Sequence, residues 1–304
     1  MQNDSGLPPH LTTRPLRHTD SRAVFELMAA HELDTVGEVA IEEADIIADW
    51  QRPSFDIESS TMGVFDGERL VAYGEHSRAD RADAAVHPAY RGRGIGTWVA
   101  HWIVAKAAER GVPVVGMPVS AGSPGEVLLR GLGWRQRWES WILRLPEGVD
   151  IPAPPISPGY LLRAARADEY AAVHEVIEDA FLEWSVRERD SFADFAATTV
   201  RRPGFEPWHL RAALGPDERV VGASLVMTTT DGGAYIDKLA VRRDERGKGL
   251  ARALLAESLR QVRAHGHHAI ELATDSRAGA LGLYEHLGMV VTSRWINLAA
   301  TTDS

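Results

Sequence analysis

Two short stretches of the chain place glycines and an arginine where a bound anion would need them. Arg91-Gly-Arg-Gly-Ile-Gly96 and Arg246-Gly-Lys-Gly-Leu-Ala251 both fit Arg-x-x-Gly-x-Gly/Ala. Each lies between a strand-like segment, ending at Val86 or Val241, and a helical one. A strand that runs into such a turn and then a helix leaves several main-chain N–H groups unpaired beside the positive end of the helix dipole. Small residues let a phosphate approach the main chain closely, and the arginine adds a permanent charge. A pyrophosphate suits this arrangement. A plain strand-to-helix connection would also use glycines, but two copies in one register argue against that reading. Neither nucleotide fingerprint is present: a dinucleotide loop would follow the first strand of its domain, and Gly247-Lys248 is followed by Gly249 instead of Ser or Thr.

The elements that position these turns repeat. Val86 pairs with Val241, Arg91 with Arg246, Gly111 with Gly266 and Gly133 with Gly288 at a constant offset of 155 residues. Upstream the offset slips to 149, as for Arg14 with Arg163 and Val24 with Val173. A loop-length difference explains the slip. Between the halves, residues 146–159 carry five prolines, which forbid helix and favour an extended spacer. The expected organisation is a first domain over 11–145, a linker over 146–159 and a second domain over 160–300.

Each half begins with a strand to Arg14 or Arg163, then a helix that Asp20 or Asp168 is placed to cap. A second helical stretch follows. The acidic run 38–49, with Val39, Ile41, Ile46 and Ile47, reads as an amphipathic helix with a solvated face. Strands are expected over 62–65 and 70–75 in the first half and over 208–213 and 220–228 in the second, with a further one ending at Val86 or Val241. The helix after the turn stops at Gly111 or Gly266. In the second half a strand over 268–273, a helix over 278–286 and a strand over 290–298 complete the pattern. An antiparallel meander followed by a βαβ-like unit implies an α/β fold with a mixed α+β sheet in each half.

Composition bounds the function. The 304 residues, 44% hydrophobic and 25% charged, suit two globular cores. Zero cysteines exclude disulfides and thiolate chemistry. A net charge of −10 disfavours nucleic acid, and no apolar stretch suits a membrane span. Residues 1–10 lack the basic start and apolar run of a secretory signal, so a cytoplasmic protein is expected. His265, His267 and His268 surround a helix stop, where histidine suits the dipole, and no metal site is expected. Trp98 and Trp102, one turn apart, read as a packed face, and Trp134, Trp138 and Trp141 as packing at the end of the first half.

With these neighbours the turns resemble those of the GNAT superfamily of acyl-CoA N-acyltransferases, over nearly all of both halves. Ala280-Leu-Gly-Leu-Tyr-Glu-His-Leu-Gly-Met289 is similar to the superfamily's Ala-x-x-Leu-Tyr-x-x-x-Gly-Phe segment. The asparagine usual three residues before that alanine is Arg277 here. The resemblance implies two tandem GNAT folds that use acetyl-CoA. Pantetheine would pair with the main chain of Leu239, Ala240 and Val241, and the pyrophosphate would sit on Arg246, Gly247, Lys248, Gly249, Leu250 and Ala251. The corresponding cofactor-binding positions of the first half are Arg91, Gly92, Arg93, Gly94, Ile95 and Gly96.

Direct transfer to an amine needs a neutral amine, an oxyanion stabiliser and an acid for the leaving thiolate. The resemblance assigns the acid to Tyr284, whose phenol is protonated at neutral pH, and the oxyanion donor to a main-chain N–H of residues 239–241. Relatives carry a glutamate where Tyr235 stands, so Asp237, two residues on, is the expected base, with Glu271 as an alternative. The first half has Leu129 at the Tyr284 position and is expected to be degenerate and without transfer chemistry. The plan is similar to that of mycothiol synthase, although its strand glutamate is the residue replaced by Tyr235. The expected function is acetyl transfer to a primary amine of a small molecule; alternatives are protein N-terminal or lysine acetylation and a non-catalytic CoA-binding module.

Overall fold

The computed structural model describes residues 6–78 and 80–302, so residues 1–5 of the N-terminal segment expected to lack a secretory signal lie outside the described residues. The chain forms two compact units, Met1–Ser140 with Ser293–Ser304, and Trp141–Thr292. The elements are β1 (Leu11–Arg14), α1 (Ser21–Val36), α2 (Glu43–Trp50), α3 (Ile57–Ser60), β2 (Thr61–Asp66), β3 (Arg69–Arg78), β4 (Arg81–Val86), α4 (Ile95–Glu109), β5 (Val114–Ser120), α5 (Pro124–Gly131) and β6 (Arg135–Leu145). After the linker come β7 (Leu161–Ala164), α6 (Tyr170–Leu182), α7 (Phe192–Thr198), β8 (Leu210–Leu214), β9 (Val220–Thr228), β10 (Gly233–Val241), α8 (Leu250–Ala264), β11 (Ala269–Asp275), α9 (Leu281–His286) and β12 (Val290–Thr301). Among these described helices none is long and apolar enough to cross a membrane.

In the first unit the strands run β1-β2-β3-β4-β5, and the C-terminal part of β12 completes the sheet against β5. Trp295 to Thr301 pair antiparallel with Ser120 to Val114, and Ile296 and Leu298 are almost wholly buried in this unit's core. In the second unit the order is β7-β8-β9-β10-β11, and the end of β6 supplies Leu143 and Leu145 to the core beside Ile270 and Leu272. The compact units therefore do not follow the limits 11–145 and 160–300: the C-terminal part of each half's last strand, from Trp141 in β6 and from Ser293 in β12, joins the other unit. Residues 146–159 are non-helical and packed on the second unit, with Ile151 buried and the Val149 carbonyl accepting from Arg263.

Local chemistry accounts for most element ends and for several departures from the sequence reading. Asp20 accepts from the Arg17 N–H at 2.8 Å and pairs with Arg14. Its counterpart is Glu169, not Asp168: Glu169 accepts from the Arg166 N–H at 2.8 Å and binds Arg163, which holds its carboxyl down at about 2. The longer glutamate reaches the same N–H from the same position, so the repeat keeps the cap and changes the acid. The run 38–49 is helical only in α2, because the Glu32 carboxylate takes the N–H groups of Ala40 and Ile41. Pro207 starts a short 3-10 turn over Pro207–His209, so β8 begins at Leu210. Residues 276–279 stay out of α9: Asp275 accepts from the N–H groups of Arg277 and Ala278, and Gly279 has φ +65°.

Candidate active site

The second unit's turn is built at the end of a strand pair that opens. β10 and β11 run parallel from Gly233↔Ala269 to Ile236↔Leu272 and pair no further, while β10 stays paired with β9 to Val241↔Gly222. Asp237 is the extra residue of a bulge between Ile236 and Lys238. The bulge resets the alternation of faces. Ala234 and Ile236 before it, and Leu239 and Val241 after it, all face the α8 side, whereas Ala240 packs with α6. The Arg242 N–H donates to Val221 on β9 at 2.9 Å. By alternation the N–H groups of Leu239 and Val241 point to the side β11 has left. That is where an acyl chain's amides and a thioester carbonyl would find donors.

Beyond Val241 the chain turns at Gly247, φ +76°, and Gly249, φ +80°, both left-handed conformations that favour glycine, before α8 starts at Leu250. A Cβ on Gly249 would also lie 3.4 Å from Pro154 of the linker. The turn, the strand and α9 enclose a cavity of about 230 Å³ lined by Leu239, Val241, Glu245, Arg246, Gly247, Gly249, Leu250, Ala251, Arg252, Leu255, Leu283, Tyr284 and Leu287. The expected pyrophosphate turn and the expected acid thus share one cavity. Burial pushes the Tyr284 phenol above its ordinary value, so it stays protonated through the neutral range.

The cations of the turn are engaged. Arg246 binds Glu183 through two bonds, at 2.7 and 2.9 Å, and donates to the Val241 carbonyl. Lys248 holds Glu245 at 2.7 Å and the Tyr160 hydroxyl at 2.8 Å, and it lies outside the cavity lining. Asp237 also lies outside the lining; it pairs with Lys238 at 2.8 Å where the strands part. Glu271 is bound by Arg144 at 2.7 Å. Arg277, in the place of the usual asparagine, pairs with Asp275 and lies 5.1 Å over the Trp184 ring. Glu245, Arg252, Leu255, Leu283 and Leu287 line the cavity without having been read from the sequence. Leu255 was legible as one helical turn beyond Ala251, Glu245 and Arg252 flank the motif itself, and Leu283 and Leu287 depend on how α9 approaches.

The first unit keeps the turn and closes its surroundings. Gly92 and Gly94 have φ +75° and +83°. Arg91 is bound by Asp34, His31 and Thr35, and Arg93 donates to the Ala89 carbonyl. A Cβ on Gly96, which pairs with Ala251, would lie 2.8 Å from Leu128 of α5, and one on Gly94 lies 3.3 Å from the Gly6 carbonyl. Ile95 and Leu129 are core residues. Trp102 and Trp134 are buried there too, while Trp141 packs in the second unit and His265 stacks on Trp208 at 4.1 Å. Among the described residues no group of three or more His, Asp or Glu is placed to hold a metal ion.

Two such units, with a glycine turn at the mouth of a splayed parallel strand pair, define an acyl-CoA-dependent acyltransferase. The chain belongs to the Acetyltransferase (GNAT) family, which matches residues 24–122 and 170–289. It is 31% identical over 238 residues to mycothiol acetyltransferase of Salinispora tropica, covering 71% of each chain. A GCN5-related N-acetyltransferase from Sphaerobacter thermophilus superposes with TM-score 0.74 at 26% identity, covering 97% of both chains. A tandem GNAT protein from the clavulanic acid biosynthesis pathway has TM-score 0.74 at 20% identity, over 97% of this chain and 99% of that one, and shares the fold.

Proposed function

We propose that the second unit moves the acetyl group of acetyl-CoA to a primary amine of a small molecule by direct transfer, and that the first unit, with its turn, is structural support. The observation that carries this reading is the single cavity lined by both the Arg246 turn and Tyr284. A neutral amine attacks the thioester carbonyl carbon, and the oxyanion formed accepts from the N–H of Leu239 or Val241. The C–S bond then breaks as Tyr284 donates its proton to the leaving thiolate. The amine's proton leaves through Asp237, directly or by way of water. No metal takes part in this scheme. The name of the mycothiol acetyltransferase relatives supports a small-molecule acceptor. A cytoplasmic setting belongs to the same proposal.

The test is CoA release from acetyl-CoA against a broad panel of amines, with wild type and Tyr284→Phe. Turnover of at least one amine, lost in the variant with acetyl-CoA binding retained, is the expected result. Acetyl-CoA binding with no amine acetylated would turn the reading to a CoA-binding module, and unchanged turnover in Tyr284→Phe would remove the acid.

A further inference from the structure

A row of oxygen acceptors crosses the sheet of the first unit on its α1–α2 side. Glu75 and Asp83 are cross-strand partners on β3 and β4. By alternation they share the face of Tyr73 and Ala85, which pack with Val24, Leu27 and Trp50. Beside them β4 and β5 pair only at Arg81↔Gly116 and then part. On β12, Asn297 stands between Ile296 and Leu298, whose side chains pack on the α4 side, so its own points to the α1–α2 side. Its Oδ1 fills the place above β5 that Gly116 leaves, 2.9 Å from where a Cβ would stand.

This Oδ1 is buried without a hydrogen-bond partner, on a residue only 7% exposed. Glu75 is 6% exposed; the Trp50 indole binds its Oε2, and among the described residues nothing donates to its Oε1. Asp83, half-buried where the strands part, has no hydrogen bond or ion pair among the described residues. Glu32 from α1 and Asp49 from α2 add negative charge, Arg52 is paired with Asp49, and Arg81 acts on Asp83 without bonding it. Buried acceptors left unsatisfied are costly. The fold does not demand them: the second unit has Leu225 opposite Lys238 in place of Glu75 and Asp83, and Ile142 in place of Asn297.

We propose that the first unit, beyond its supporting role, binds a small primary ammonium ion whose N–H groups meet Asp83, Glu75 and the Asn297 side-chain carbonyl. An ammonium carries three donors and no acceptor, the inverse of the row. Two opposed carboxyls also need a positive charge between them to ionise together. The inference holds whatever occupies the second unit's cavity.

The experiment is calorimetric titration of the full chain with ethylammonium, ethanolamine and putrescine at pH 7, in two buffers of different ionisation enthalpy. At least one amine is expected to bind wild type saturably and to release protons, because burial and then Asp49 hold the Glu75 carboxyl at about 8 and a bound cation lowers it. Asp83→Asn should weaken binding about tenfold, the effect of losing one charge-assisted contact, and should melt no lower than wild type without ligand. Asn297→Ala should weaken it too, and decides the matter if Asp83→Asn does not fold. Glu109→Gln, which changes an exposed acid of the same unit, should leave affinity unchanged. Wild-type affinity in Asp83→Asn and Asn297→Ala, as for an amine held by the second unit alone, overturns the proposal. So does equal weakening in Glu109→Gln, or no saturable binding of any of the three amines.

Discussion

Arg246 and Glu183 are joined by two hydrogen bonds, at 2.7 and 2.9 Å, that tie the glycine turn to the chain just past α6. The first unit repeats the pair as Arg91 with Asp34, at the end of α1. The motif arginine therefore acts first as a link between its turn and the first helix of its unit. Its guanidinium holds the Glu183 carboxyl below the usual carboxylate range.

Removing the negative charge without changing shape tests this link. Glu183→Gln frees the Arg246 charge toward the cavity and should tighten acetyl-CoA about threefold at low salt, an effect that fades as salt screens it. Because the pair is partly exposed, with 45% and 31% of the two side chains accessible, the stability loss should stay below about 1 kcal/mol. Weaker acetyl-CoA binding would mean that the pair's main effect is to shape the turn. Titration at two salt concentrations decides.

Tyr284→Phe should lower kcat by about a hundredfold or more, the usual contribution of a positioned general acid, with the acetyl-CoA dissociation constant within about twofold. The hydroxyl of Tyr284 has no hydrogen-bond partner among the described residues, so its loss strands no buried group. With the phenol raised by burial, the wild-type rate should show no fall from loss of this proton below about pH 10. Steady-state kinetics over pH measure both.

Leu298 is fully buried in the first unit although it lies in the chain's last strand. Leu298→Ala should cost about 2–5 kcal/mol. Amide exchange should rise across β5 and leave β10 unchanged. Faster exchange in β10 instead would contradict the division into units.

Glu75 sits in the first unit with its carboxyl pushed up to about 8, by burial first and then by Asp49, while the Trp50 indole donates to it at 3.1 Å. Asp83 opposite it is pushed up to about 6 by burial. A folded value above the unfolded one means that the stability contribution is whole below about pH 4.5 and is lost as pH rises through the folded value. Glu75→Gln keeps the acceptor for Trp50 and removes the titration. At pH 8, where the folded group is half ionised, the first unit should then be more stable than wild type by roughly 4 kcal/mol, on the scale of about 1.4 kcal/mol per unit. An unchanged midpoint at pH 8, read by near-UV denaturation, would contradict this.

Much of the site is local and was legible. Gly247 and Gly249 are left-handed in place, and the strand before and the 15-residue helix after them follow from periodicity and stop signals. The bulge at Asp237 leaves no mark in residue type, yet it decides that Leu239 and Val241 line the cavity and Ala240 does not. The closure of the first turn by Leu128 depends likewise on the approach of α5.

The sequence by itself determined the repeat, the order of elements and the glycine turns, because each is written in short-range pattern. Only the tertiary structure decided which unit each last strand completes. Trp141 and Ile296 are 155 residues apart, the repeat offset itself, so β6 and β12 are equivalent strands. A strand that pairs in its own half and one exchanged into the other make equivalent contacts and need the same alternation of residues. Periodicity therefore cannot tell them apart; the partner strand, β5 for β12 and β11 for β6, does.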